Sequence, residues 1–182
     1  MMLRFGVIGT SWITRAMIAG AQLYPDLLRL TAVCSRSEER GRAFAAEYSA
    51  TTVFTDPADM AASDELDFVY IASPNRLHIP QSRLFLEAGK SVLCEKPLSA
   101  DPDEVAALQT LAAQKGLLFR EAIMMLYQPS YDVLREAMPL LGTLSTAQFQ
   151  FCQLSSKYEE LQSGKLPNIF NPALHAGCLM DL

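Results

Sequence analysis

Apolar residues along the chain gather in short unbroken runs, and between the runs they recur every three or four positions. Residues 3–9 (LRFGVIG), 30–35 (LTAVCS), 67–73 (DFVYIAS), 91–97 (SVLCEKP) and 117–122 (LLFREA) read as strands buried on both faces. A shorter run, residues 51–54 (TTVF), reads as a sixth. The stretches between them carry helix signals. Ile13, Met17, Gly20 and Tyr24 follow one helical spacing, and Ser37 stands as N-cap of residues 38–48. Asp56 and Pro57 occupy N-cap and N1 of a brief helix, and a helix from about Leu77 is ended by Gly89 at C′. Asp101, Pro102 and Glu104 supply an N-cap, an N1 proline and a capping-box acid for a helix closed by Gly116.

Strands alternating with single helices imply right-handed βαβ units, and therefore a doubly wound α/β domain with a parallel sheet, here ending near residue 122. After it the pattern changes. Residues 130–141 (SYDVLREAMPLL) read as a helix, and residues 144–154 (LSTAQFQFCQL) as a strand of an open sheet with one solvated face. We expect two units: a doubly wound α/β domain at 1–122, and at 123–182 the beginning of an α+β open-sheet domain that is cut short.

Composition narrows the function. The chain has 182 residues, is 50% hydrophobic and carries a net charge of −5. It holds no long basic run, which argues against nucleic acid or an anionic membrane as partner and for a small molecule. Cys34, Cys94, Cys152 and Cys178 form no CxxC pair and the histidines are only His78 and His175, so neither a disulfide framework nor a metal site is expected. The broken N-terminus does not read as a signal peptide and no run reaches membrane-spanning length, which points to the cytoplasm.

The first strand runs into Gly9, Thr10, Ser11, Trp12 and Ile13, a turn resembling the G-x-G-x-x-G phosphate cradle, with Ser11 at the second glycine position and Thr14 at the third. Serine restricts close approach but brings a hydroxyl donor. By itself the segment admits a plain structural turn equally well. At the end of the second strand stand Ser35, Arg36 and Arg40 with no acid at the tip, a set able to hold a phosphate and so pointing to NADP, with NAD as the alternative. Read blandly, Arg36 is a solvated charge. Ala72 and Ser73, and then Lys96, sit at later strand ends, the edge where open α/β sheets bind ligands.

Together GTSWI, AVCSRS, YIASPNRLH, SVLCEKP and NPALHAGCLMDL resemble the Gfo/Idh/MocA family of nicotinamide-dependent oxidoreductases. The resemblance implies a cofactor-binding Rossmann domain followed by a substrate domain that holds a sugar, cyclitol or dihydrodiol and mediates homo-oligomerisation. It makes Lys96 the catalytic residue, places Glu95 and Pro97 beside the nicotinamide with a cis Lys96–Pro97 bond, and lines the cofactor with Pro74, Asn75 and His78. It maps a second catalytic group to Asp181, whose usual His or Tyr companion lies beyond Leu182. Ser11, Leu126, Gln128, Ala176 and Cys178 depart from the family pattern, which leaves the substrate open. Met124 and Met125 read as core filler. The chain therefore reads as the front part of a longer enzyme, expected to bind NADPH without turnover of its own. A catalytically silent dinucleotide-binding sensor or partner subunit is the competing reading, and a methyltransferase-like Rossmann protein is a third that gives EKP no role.

Overall fold

A computed structural model describes residues 2–177 of the chain. Six strands form one sheet, all parallel: β1 (Leu3–Ile8), β2 (Leu28–Cys34), β3 (Thr52–Phe54), β4 (Phe68–Ile71), β5 (Ser91–Cys94) and β6 (Phe119–Glu121). Their order across the sheet is β3-β2-β1-β4-β5-β6, so the winding reverses between β1 and β4. That reversal leaves a crevice at the carboxyl ends of the strands, because the connections from β1 and β4 depart to opposite faces.

The alternation of side chains along each strand sends residues to both faces. On one face Phe5, Val7, Val33 and Tyr70 pack with Ile18 and Ala21 of α1 (Trp12–Gln22) and Phe44 and Ala45 of α2 (Glu38–Tyr48). On the other, Ile8, Val69, Ile71 and Val92 pack with Met60 of α3 (Pro57–Ala62), Phe85 and Leu86 of α4 (His78–Glu87) and Leu108 of α5 (Pro102–Lys115). Burying each of these large side chains stabilises the fold by roughly 1.5–3 kcal/mol. The caps act much as expected: Ser37 accepts from Arg40 N–H, Asp56 from Ala58 N–H and Asp101 from Asp103 N–H. Glu104 differs. It accepts from the Ser99 hydroxyl at 2.5 Å, and Asp101 N–H goes to Ser99 Oγ instead of closing a capping box.

Beyond residue 122 lie a 3₁₀ turn (Met124–Tyr127), α6 (Pro129–Ala137), another 3₁₀ turn (Met138–Leu141) and the short α7 (Tyr158–Gln162). Residues 144–154, expected as a strand, pair with nothing among the described residues, and Phe149 is 92% exposed. Alternation alone does not make a strand, since the ladder needs a neighbour to take its backbone groups. The chain then returns toward the sheet's carboxyl edge: after a turn at Asn168–Phe170, a turn at Pro172–Leu174 settles against a turn at Asn75–Leu77. Among the described residues no helix is long and apolar enough to cross a membrane, and no cluster of three or more metal-ligating side chains occurs.

Candidate active site

The β1–α1 turn places Gly9 at φ +100°, and a Cβ there would stand 2.6 Å from the Ala72 carbonyl oxygen. Only glycine allows the two strand-end loops to come this close. Gly9 N–H donates to Cys34 O at 3.1 Å and Ala72 N–H to Ile8 O at 2.9 Å, so both loops are continuations of the sheet. Ser11 precedes α1 in an extended conformation and its side chain does not cap the helix; no acid lies in the first turn. The first amides of α1 are thus left for an anion at the positive end of the helix dipole. Thr14 is fully buried in the position of the third glycine, and its hydroxyl has no partner among the described residues.

Gly9, Thr10 and Ser11 line a cavity of about 570 Å³ together with Ser35, Arg36 and Arg40 from the β2–α2 connection and Ala72, Ser73 and Pro74 from the end of β4. Among the described residues no carboxylate lines it. Ser35 is nearly buried and accepts from Ser37 N–H at 3.4 Å, which leaves its own hydroxyl hydrogen to donate. Burial, with the Asp56 charge second, pushes the neighbouring Cys34 thiol up to about 11, so it remains an unreactive thiol.

A second cavity, of about 720 Å³, meets the first at Ala72 and Ser73 and is lined by Trp12, Ile13, Asn75, His78, Glu95, Lys96 and Pro97. The Lys96–Pro97 bond is cis. Around it the hydrogen bonds converge. Tyr70 OH donates to Glu95 Oε1 at 2.5 Å, and burial first, then this bond, holds the Tyr70 hydroxyl protonated far above its ordinary range. Glu95 N–H donates to Ile71 O, Lys96 N–H to Glu95 Oε2 at 3.3 Å, and Leu98 N–H to Glu121 Oε1 at 3.1 Å. His78 is 1% exposed, with Nδ1 2.8 Å from Pro97 O and Nε2 2.9 Å from Ser73 O.

The strand ends therefore bring together the residues singled out in the sequence at one continuous groove, with two adjustments. Each ring nitrogen of His78 faces a backbone carbonyl, only one of which a neutral imidazole can donate to, and the Asn75 amide donates to His175 O at 2.8 Å, tying down the returning C-terminal segment. Asp181 lies outside the described residues. Other lining residues were missed. Gln81, which accepts from Ser73 Oγ at 2.6 Å, follows His78 by nearly one helical turn, and Glu121 ends a strand; both positions were signals. Asn168 and Ile169 reach the groove from far along the chain and gave none. Met124 and Met125 are not core filler: they are 58% and 63% exposed and line the second cavity, because β6 ends beside it.

Residues 3–122 match the family model GFO_IDH_MocA, described as an oxidoreductase family with an NAD-binding Rossmann fold. The whole chain is 43% identical to the uncharacterized oxidoreductase YgjR of Escherichia coli and 42% identical to the scyllo-inositol 2-dehydrogenase (NADP(+)) IolU of Bacillus subtilis, in each case over 181 residues. It spans 55% of the length of either. Among solved structures, the 3-ketoreductase KijD10 of Actinomadura kijaniata in complex with TDP-benzene and NADP, in its open conformation, superposes with a TM-score of 0.71 at 32% identity, covering 77% of this chain and 44% of that one.

Proposed function

The chain belongs to the Gfo/Idh/MocA family of oxidoreductases, and from that premise we propose that it transfers hydride between NADP(H) and a secondary alcohol or ketone of a small polyol. The observation that carries this reading is the single groove at the carboxyl edge of the sheet, with the uncapped N-terminus of α1 along one part and Lys96 along the other. The amides at the start of α1 hold the pyrophosphate, with the Ser11 hydroxyl as an added donor. Arg36, Arg40 and Ser35 take the 2′-phosphate, since the β2 tip offers cations and hydroxyls and no carboxylate for a ribose diol. Trp12, Ile13, Ala72 to Asn75 and Glu95 to Pro97 line the path to the nicotinamide.

NADP supplies the hydride-accepting carbon when bound; the protein supplies position and proton transfer. In the oxidising direction the Lys96 amine takes the hydroxyl proton of the substrate as its carbon gives up hydride, and in the reducing direction the Lys96 ammonium returns that proton to the developing alkoxide. Asp181 is retained as the second polar group of the site. Residues 1–122 form the cofactor domain, and residues 123–182 belong to the substrate side and to homo-oligomer contacts, a role consistent with exposed Leu140, Phe149 and Phe151. Among sugars, cyclitols and dihydrodiols a cyclitol is the first candidate, on the strength of the Bacillus relative's activity.

The single tryptophan, Trp12, lines the groove and is its own reporter. Titration with NADPH, NADH and S-adenosylmethionine is expected to quench its emission saturably, at the lowest concentration for NADPH. NADP⁺ reduction with scyllo-inositol, D-xylose or a trans-dihydrodiol then tests the chemistry. Absence of any saturable response refutes the cofactor reading, and saturable binding with no polyol turned over, when the chain is joined to a complete substrate domain, supports the silent sensor instead.

A further inference from the structure

The turn that carries Lys96 is held from outside itself. On one side Leu98 N–H is bonded to Glu121 at the end of β6, and on the other the Pro97 carbonyl faces His78 Nδ1 at 2.8 Å. His78 reaches back at the same time to the Ser73 carbonyl at 2.9 Å, in the loop after β4. Its ring thus lies between the two strand-end loops that border the groove, at 1% exposure with a carbonyl oxygen facing each nitrogen; a neutral imidazole carries one N–H, so one of the two approaches is a hydrogen bond and the other a close contact. Pro97 has no backbone N–H and among the described residues its carbonyl is not bonded within the sheet, so the imidazole is what the turn leans on from the α4 side.

We propose that His78 is a positioning residue for Lys96, its Nδ1–H donating to Pro97 O and fixing the height of the Glu95-Lys96-Pro97 turn, and that it contacts neither cofactor nor substrate. The inference rests on Lys96 being the proton-transfer group. A misplacement of about 1 Å at such a group costs on the order of 100-fold in rate, so a strut of this kind reports in turnover before it reports in binding.

Two near-isosteric variants separate the contacts. The amide nitrogen of asparagine overlays Nδ1 and that of glutamine overlays Nε2, so His78→Asn keeps the donor to Pro97 O and His78→Gln moves it to Ser73 O. For each variant we would measure amide hydrogen exchange at Lys96 and Leu98, the NADPH dissociation constant, and turnover of NADP⁺ with scyllo-inositol. His78→Gln should speed exchange at both amides by about tenfold or more, lower turnover roughly 10- to 100-fold and leave NADPH binding within about threefold. His78→Asn should restore exchange and turnover to within about fivefold of wild type. The proposal is overturned if both variants weaken NADPH tenfold or more, which would make His78 a cofactor ligand. It is equally overturned if the two variants behave alike in exchange, whether both resemble wild type or both are loosened. Normal turnover in Lys96→Met would remove Lys96 from the chemistry, and the exchange comparison would still judge the strut.

Discussion

Replacing Gly9 by alanine tests the geometry on which the groove depends. At φ +100° an L-residue is strained by about 1–2 kcal/mol. The new Cβ would lie 2.6 Å from the oxygen and 3.2 Å from the carbon of the Ala72 carbonyl, both backbone atoms that no rotamer change can move aside. The loops after β1 and β4 must then part by roughly 0.8 Å to reach ordinary contact. That motion loosens the Gly9 N–H bond to Cys34 O and the Ala72 N–H bond to Ile8 O, each worth about 1 kcal/mol. Strain together with one lost bond amounts to about 2–3 kcal/mol, a fall in melting temperature of about 4–12 °C for a chain of this size. NADPH affinity should fall at least tenfold, since the amides at the start of α1 move with the turn. Gly20→Ala is the control: nothing lies within 4 Å of a Cβ there and the residue sits inside α1, so the change should stabilise by about 0.5–1 kcal/mol. Thermal melts with and without NADPH measure both. A Gly9→Ala protein that melts within about 2 °C of wild type and binds NADPH normally would refute the reasoning.

In a protein that carries the complete substrate domain, Lys96→Met should cut turnover by about 10²- to 10⁴-fold with NADPH affinity little changed; steady-state kinetics and a fluorescence titration decide, and near-normal turnover counts against it. Arg36→Ala should weaken NADPH by about 1.5–3 kcal/mol and leave NADH almost untouched, whereas equal losses would remove Arg36 from the 2′-phosphate. Ser11→Gly should keep NADPH within about tenfold while Ser11→Leu abolishes it, and unimpaired binding by the leucine variant would mean that the turn does not hold phosphate. Asp67, hydrogen-bonded by both the side chain and the N–H of Arg4, is held below the usual carboxylate range, chiefly by the side-chain bond. A depressed pKa stabilises above the unfolded value of about 3.9 and the benefit is lost as pH falls through the folded value. The melting gap between wild type and Asp67→Asn should therefore narrow below about pH 4, and a constant gap from pH 7 to pH 3 would contradict this.

The Rossmann half was legible because its signals are local. A strand buried on both faces must be apolar throughout, as residues 5–8 and 68–71 are, and Ser37, Asp56 and Asp101 mark helix starts by the bonds their own side chains make. Gly9 and Lys96 could be located because strand ends define the binding edge of a parallel sheet. What the sequence concealed depends on long-range contact. Glu104 gives its carboxylate to Ser99 because the loop before α5 folds back onto the helix. Residues 144–154 carry a strand's alternation without a neighbour to pair with among the described residues, and alternation contains no information about neighbours. Asn75 meets His175 across 100 positions, and Ile169 enters the groove from a segment whose own pattern is merely a pair of turns. His78 was read as lining the cofactor from its motif alone; its buried double contact with Ser73 and Pro97 is visible only once the loops after β4 and β5 are side by side.

The most direct test of the groove is a crystal structure of the protein with NADP⁺ bound. We expect the pyrophosphate within hydrogen-bonding distance of the amides at Ser11 to Ile13, the 2′-phosphate against Arg36, and the nicotinamide beside Lys96. A cofactor seated with its phosphates away from the β1–α1 turn, or with its nicotinamide remote from Lys96, would contradict the assignment.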